Sequence, residues 1–269
     1  MNVMGVRSLG SYDLLEPVGE GATSIVHRAV DRFGRVVAVK EPRRELAGDP
    51  TIRRRFGREA QSMARVRSPY VAEVYDACLA GERPFIVTEY VAGVPLRDLV
   101  ARFGPMRGET LSVFGGRLAQ GLAAIHGAGV LHRDLKPGNV MVLGGIPKII
   151  DFGIAQEASA DQVTQPGVLT GTPGYVAPEL IDGGRSTAAA DVFSWAATVA
   201  FAATGRAPFG AGSLHGVCFR VLRGAVDLDG VPEPVLSLLG CALRRDPATR
   251  PSAAWLAARL TLGEPRRAS

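Results

Sequence analysis

The 269-residue chain carries 31 basic residues, of which only Lys40, Lys136 and Lys148 are lysines. Arginine is its default cation. A lysine therefore marks a place where a slim ammonium serves and a planar guanidinium would not. Lys40 closes the run "VAVK", fourteen residues after Val26. An ammonium there is a compact point charge suited to phosphate oxygens. Upstream lies "VGEGATSIV", Val18 to Val26. Its Gly19 and Gly21 would let backbone amides come close to a phosphate. The same spacing also marks an ordinary tight turn. It is not a Walker A loop, which ends in Gly-Lys-Ser/Thr. Nor is it a dinucleotide fingerprint, because a strand pattern rather than a helix follows. Lys136 sits in "LHRDLKPGNV", two residues after Asp134 and three before Asn139.

The elements that must hold these residues can be read from the pattern. Between Tyr12 and Val91, "YDLLEPVG", "SIVHRAV", "VVAVKEP" and "PFIVTEYV" are short β-like runs, with "DRFGR" as the turn joining two of them. One helix interrupts, with Asp49 as N-cap and Pro50 at its first position. Ile52, Phe56, Met63 and Val66 form an apolar stripe along it. Glu59 falls on that stripe, where a carboxylate is costly unless paired. Either Glu59 lies at the stripe's edge and reaches water, or it has a partner at the core edge, for which Lys40 is a candidate. From Leu96 onward helical patterns dominate. The expected architecture is a small β-rich lobe followed by a larger helical one.

Composition narrows the function classes. A chain 46% hydrophobic and 21% charged is globular with a sizeable core. Cys78, Cys218 and Cys241 include no CxxC pair, which argues against a zinc site or a disulfide framework and for free thiols in a reducing compartment. The amino-terminal stretch has no apolar core of signal-peptide length. The longest uncharged apolar run, Val192 to Thr204, is too short to span a bilayer and reads as a buried helix. These features lead to the expectation of a cytoplasmic chain without membrane contact. The net charge is +5, and Arg53 to Arg55 form a basic run. No aromatic residues interleave with those arginines for base stacking, so a solvated helix face is favoured over nucleic-acid binding.

Taken in order, "VGEGATSIV", "VAVK", "HRDLKPGN" at 132–139, "DFG" at 151–153 and "APE" at 177–179 match the signature set of protein kinases. The chain resembles the eukaryotic-type protein kinases, and within them the bacterial Ser/Thr kinases, over about Tyr12 to Leu262. The resemblance implies an α+β bilobal kinase fold, with an N-lobe and hinge over 12–91, a C-lobe over 92–262, and flexible termini at 1–11 and 263–269. It implies transfer of the γ-phosphate of ATP, with Mg²⁺ or Mn²⁺, to Ser or Thr hydroxyls of protein substrates. A transient homodimer for autophosphorylation goes with this. The alternative is a nucleotide-binding pseudokinase scaffold. The chain could equally be the cytoplasmic domain of a longer membrane receptor kinase.

By position in the motifs, the resemblance gives each residue a role. Asp134 orients or accepts the proton of the substrate hydroxyl, and Lys136 neutralises the transferring phosphate. Asn139 and Asp151 are the metal ligands. Lys40 contacts the α- and β-phosphates and is held by Glu59. The nucleotide-binding residues are Val18, Gly19, Glu20, Gly21, Ala22, Thr23, Ser24, Ile25 and Val26 of the loop, then Ala38, Lys40 and Met141. Backbone groups of Glu89 and Val91 serve as hinge contacts, and Thr88 gates the deeper pocket. Val26 and Met141 would also suit a purely structural place in the core. Asp191 anchors the catalytic loop, and Glu179 pairs with Arg250. Thr164 and Thr170 are the phosphorylation candidates, with Thr172 as a structural residue facing Asp134. Ser24 stands where the loop's third glycine would be, and Pro95 where many relatives place an acidic ribose contact. Gln156 stands where a basic residue is common.

Overall fold

The computed structural model describes residues 7–151 and 172–261. They fall into two compact units. The first comprises the chain up to Arg67 together with Ala72–Val91, and the second Ser68–Val71 with everything from Ala92 onward.

The first unit is a six-stranded antiparallel sheet with one long helix. Strands β1 (Arg7–Leu9), β2 (Tyr12–Glu20), β3 (Ser24–Asp31) and β4 (Val36–Pro42) precede helix α1 (Pro50–Ala64), and β5 (Val74–Cys78) and β6 (Phe85–Glu89) follow it. The strand order is β1-β2-β3-β4-β6-β5. The β3–β4 turn is closed by Asp31, whose side chain accepts from the amides of Phe33 and Arg35 at 2.9 Å each. Alternation then divides β4 between two faces. Val37 and Val39 point into a core with Leu9, Tyr12, Leu14, Ala29, Phe85 and Val87. Ala38 and Lys40 take the opposite face, in register with Thr88 and Ile86 of β6. Helix α1 packs on that second side, through Phe56 and Ala60 against Ile86. Within the segment 1–11, Arg7–Leu9 pairs with β2, and Leu9 is buried. What orders it is the apolar face that Leu9 helps to close.

The second unit is mainly helical. It holds β7 (Val94–Pro95), α2 (Leu96–Phe103), α3 (Gly108–Gly127), the hairpin of β8 (Val140–Leu143) and β9 (Ile146–Ile149), and then α4 (Pro178–Ile181), α5 (Ala188–Thr204), α6 (Leu214–Arg223), α7 (Val235–Ala242) and α8 (Ala253–Thr261). Helix α5 is the buried helix expected from the apolar run. It starts at Thr187, whose hydroxyl caps the Ala190 amide, and stops at Gly205 in the left-handed conformation. Its buried hydroxyls on Thr198 and Thr204 donate to carbonyls one turn earlier, each at 2.8 Å, which satisfies them within the helix. The Ser194 hydroxyl lies 2.7 Å from the Tyr175 carbonyl and 3.1 Å from that of Ala190. The α5 indole of Trp195 donates to the Gly115 carbonyl of α3 at 3.1 Å. Among the described residues no helix is long and apolar enough to cross a membrane.

Candidate active site

In the first unit the site starts from a helix cap. The Asp49 side chain accepts from the Thr51 amide at 2.7 Å and fixes where α1 begins. From that start, Phe56 and Ala60 reach the sheet and Glu59 arrives between them in sequence, beside β4. Lys40 Nζ donates to Glu59 Oε1 at 2.5 Å. Glu59 is only 5% exposed, so of its two readings the paired one holds and the water-reaching one does not. Its meaning is positional, because a buried ion pair adds little net stability over apolar residues of the same shape. Val26 is the cross-strand partner of Lys40, and Arg28 that of Ala38, so Val26, Ala38 and Lys40 share one sheet face.

The turn between β2 and β3 is closed by a hydrogen bond from the Gly21 amide to the Ser24 carbonyl at 2.8 Å. Gly19 lies opposite Val26, and Glu20 opposite Ile25. A Cβ on Gly19 or Gly21 would meet nothing nearer than 3.6 Å, and neither residue is at positive φ. The fold itself therefore does not demand glycine at either place. Thr23 and Ala22 complete the turn, and Val18 is half exposed. On β6, the Glu89 amide donates to the Glu73 carbonyl at 2.8 Å, and Val91 is buried where the first unit ends.

In the second unit the centre is a loop pinned from α5. Buried Asp191 accepts from the His132 amide at 2.8 Å, from the Arg133 amide at 2.7 Å and lies 2.9 Å from His126 Nε2. Arg133 sits at φ 68°, a left-handed conformation costly for a side-chain-bearing residue. The two backbone bonds to Asp191 hold it there. His132 is fully buried, and burial lowers its pKa, which favours a neutral ring. Its Nδ1 accepts from the Asp134 amide at 3.3 Å, so Nε2 carries the proton and faces the Ile150 carbonyl at 3.4 Å.

With the backbone fixed, the side chains converge. Asp134 Oδ2 accepts from Lys136 Nζ at 2.7 Å and from Asn139 Nδ2 at 3.0 Å. The same Asn139 amide nitrogen also donates to the Asp134 carbonyl at 2.8 Å. With that nitrogen engaged on Asp134, the amide oxygen is the acceptor that Asn139 can offer a cation. Asn139 and Asp151 are tied through the β8–β9 hairpin, because Val140 pairs with Ile149 and the Ile150 amide donates to the Asn139 carbonyl at 3.0 Å. Asp151 takes a left-handed φ of 53° as the chain leaves the hairpin. Met141 lies in β8 between Pro95 and Lys148. The second unit's frame includes a bidentate pair, Arg250 Nη1 and Nη2 to the two carboxylate oxygens of Glu179, each at 2.8 Å.

His126 and His132, which meet around the catalytic loop, were not singled out from the sequence. Proximity to Asp134 was the only signal for His132, and His126 had none. Phe152, Gly153, Gln156, Thr164 and Thr170 lie outside the described residues. Thr172 is exposed at the start of a short turn that precedes α4.

Comparison with known proteins points to the same family. The protein kinase domain model matches residues 12–259. The serine/threonine-protein kinase AfsK of Streptomyces griseus is 40% identical over 248 residues, covering 92% of this chain and 31% of its own length. The serine/threonine-protein kinase PknL of Mycobacterium tuberculosis is 35% identical over 246 residues, covering 89% of this chain and 62% of its own. The chain thus spans about a third of the length of several curated relatives it matches. Among solved structures, Rad53 1-466 in complex with AMP-PNP superposes with a TM-score of 0.78 at 25% identity, over 92% of this chain and 64% of that one. The chain belongs to the protein kinase family, among the bacterial eukaryotic-type serine/threonine kinases.

Proposed function

We propose that this chain transfers the γ-phosphate of ATP to serine or threonine hydroxyls of protein substrates, in the cytoplasm, and phosphorylates itself in a transient pair of copies. The observation that carries the reading is Asp134, a carboxylate gripped by Lys136 and Asn139 on a loop whose backbone Asp191 pins. Phosphoryl transfer asks for positioning and charge neutralisation more than for covalent chemistry. Asp134 orients the acceptor hydroxyl and takes its proton as the hydroxyl oxygen bonds to the γ-phosphorus and the bridging oxygen departs with ADP. Lys136 offsets negative charge on the transferring group. Lys40, held by Glu59, positions the α- and β-phosphates. Gly19 and Gly21, which the fold does not itself require, supply bare backbone along the loop from Val18 to Val26. Val26, Ala38 and Met141 take the adenine, with Glu89 and Val91 offering backbone groups.

The residues present fit a hard divalent cation. Among the described residues no three His, Cys, Asp or Glu side chains gather as a metal cage. Mg²⁺ is ordinarily held by one or two carboxylates with substrate phosphates and water, so the Asn139 amide oxygen and the Asp151 carboxylate are a suitable set. Bound there, the cation would neutralise phosphate charge, and Mn²⁺ would serve the same donors. The assay is transfer of labelled γ-phosphate to a generic protein substrate by wild type and Asp134→Asn. Loss of at least about a hundredfold in the variant is expected. Equal transfer by both forms would remove Asp134 from the chemistry, and no transfer by wild type would leave a nucleotide-binding scaffold instead.

A further inference from the structure

The turn expected to face the phosphates is held from the side by a residue outside every kinase motif. Arg43 lies one residue past β4 and three past Lys40. Its amide donates to the Thr23 carbonyl at 2.9 Å. Its Nε donates to the Gly21 carbonyl at 2.9 Å, and its Nη2 to Glu20 Oε2 at 3.1 Å. One arginine therefore engages three of the four residues from Glu20 to Thr23. In a trans peptide the C=O and the following N–H point in opposite directions. Turning the Gly21 carbonyl toward Arg43 thus turns the Ala22 amide away from it. The same guanidinium offsets the charge of Glu20, a carboxylate that would otherwise repel a polyphosphate. Because Arg43 continues β4, the strand that presents Lys40 also sets the turn.

Resting on the kinase reading above, we infer that Arg43 is a positioning residue for nucleotide phosphates. It aims the 21–22 peptide and neutralises Glu20, and it touches no reacting atom. Both bonds are exposed, so the effect is one of affinity and aim, not of folding. Arg43→Ala should raise KM for ATP about tenfold, which corresponds to about 1.4 kcal/mol, with kcat within about twofold. Arg43→Lys should recover only part of this, because one ammonium cannot span both acceptors in the guanidinium's planar fork. Adding Glu20→Gln to Arg43→Ala should also recover part, by removing the carboxylate left unpaired. Amide hydrogen exchange over residues 19–24, measured without nucleotide, should accelerate in Arg43→Ala and stay unchanged in α1 and α5. Unchanged KM with unchanged exchange would overturn the inference. So would a fall in kcat together with a lowered melting temperature and unchanged KM, which would make Arg43 merely structural. If the wild type transfers no phosphate, the kinase reading fails on that result alone. Exchange and calorimetric ATP titration of the two proteins then still decide the role of Arg43, and equal ATP affinity would overturn it.

Discussion

Single residues here are chosen by what their charge must touch. In a chain that uses arginine almost everywhere, Lys40 stays a lysine against a carboxylate 2.5 Å away that is itself almost wholly buried. A guanidinium is larger and planar, and would displace Glu59 or the group Lys40 is meant to meet. Lys40→Met should therefore abolish detectable phosphorylation with the far-ultraviolet circular dichroism spectrum unchanged. Lys40→Arg should lose nearly as much, and near-normal autophosphorylation by it would sink the argument from lysine usage. Asp191 makes a sharper case. Its two oxygens accept from two backbone amides and face His126. An asparagine keeps one acceptor and sets an NH₂ donor against a buried N–H. Asp191→Asn should cost about 2–3 kcal/mol, the penalty for buried donors left unsatisfied. It should also relax Arg133 from its left-handed conformation and so displace Asp134. Denaturant melts and phosphotransfer should fall together; a stable but inactive variant would show that the pinning serves the loop alone.

At the scale of elements, legibility in the sequence followed the strength of the local pattern. β3, its turn and β4 were readable because valines alternate on both sides of an Asp-led turn. Helix α1 was readable down to its cap, and the position of Glu59 on the stripe already named Lys40 as a candidate partner. β1 and β5 were not read. Arg7–Leu9 has three residues and one buried side chain, and Val74–Cys78 is an edge strand with no buried face, so neither carries an alternation to detect. Non-local polar clusters were equally invisible. Glu41 follows Lys40 in β4 and points to the other face, where it is 3% exposed. There it meets Arg7 from β1 at 2.8 Å, Arg83 from the β5–β6 connection at 2.7 Å and His27 at 3.1 Å. No periodicity links positions 7, 27, 41 and 83. The carboxylate is buried, whereas the Arg7 and Arg83 side chains keep 40% and 31% of their exposure. Glu41→Ala should thus cost about 2 kcal/mol, less than the loss of a partner from a wholly buried pair, because the arginines can turn to water. Arg7→Ala should cost under about 1 kcal/mol, as half-exposed pairs do. Equilibrium denaturation of the two variants checks the order, and equal costs would mean that Glu41 is held mainly by Arg7. Hydrogen exchange in residues 7–9 should rise in both.

Across the whole molecule the proposed roles divide between the two units. Lys40, Glu59 and the Gly19–Val26 turn belong to the first, and Asp134, Lys136, Asn139 and Asp151 to the second. Because Lys40 is proposed to bind the phosphates, Asp151 the cation and Asp134 the acceptor hydroxyl, nucleotide binding and phosphate transfer are separable by measurement. A ligand that binds only the folded chain stabilises it by RT ln(1 + [L]/Kd), about 2.7 kcal/mol at a hundred times Kd. For a domain of this size about 1 kcal/mol moves Tm by roughly 2–4 °C, so saturating ATP with Mg²⁺ should raise it by about 5–10 °C. Each variant should then remove its own share. Lys40→Met loses a phosphate contact, so its shift should shrink both with and without the cation. Asp151→Asn loses a cation ligand, so it should keep the shift seen with ATP alone and lose the increment that Mg²⁺ adds. Asp134→Asn is assigned to the acceptor hydroxyl and not to the nucleotide. It should show the full wild-type shift while transferring no phosphate. A wild-type shift that ignores Mg²⁺ would remove the cation role from Asn139 and Asp151. An Asp134→Asn shift as small as that of Lys40→Met would mean that Asp134 binds nucleotide, and that the division of roles between the two groups of residues is wrong.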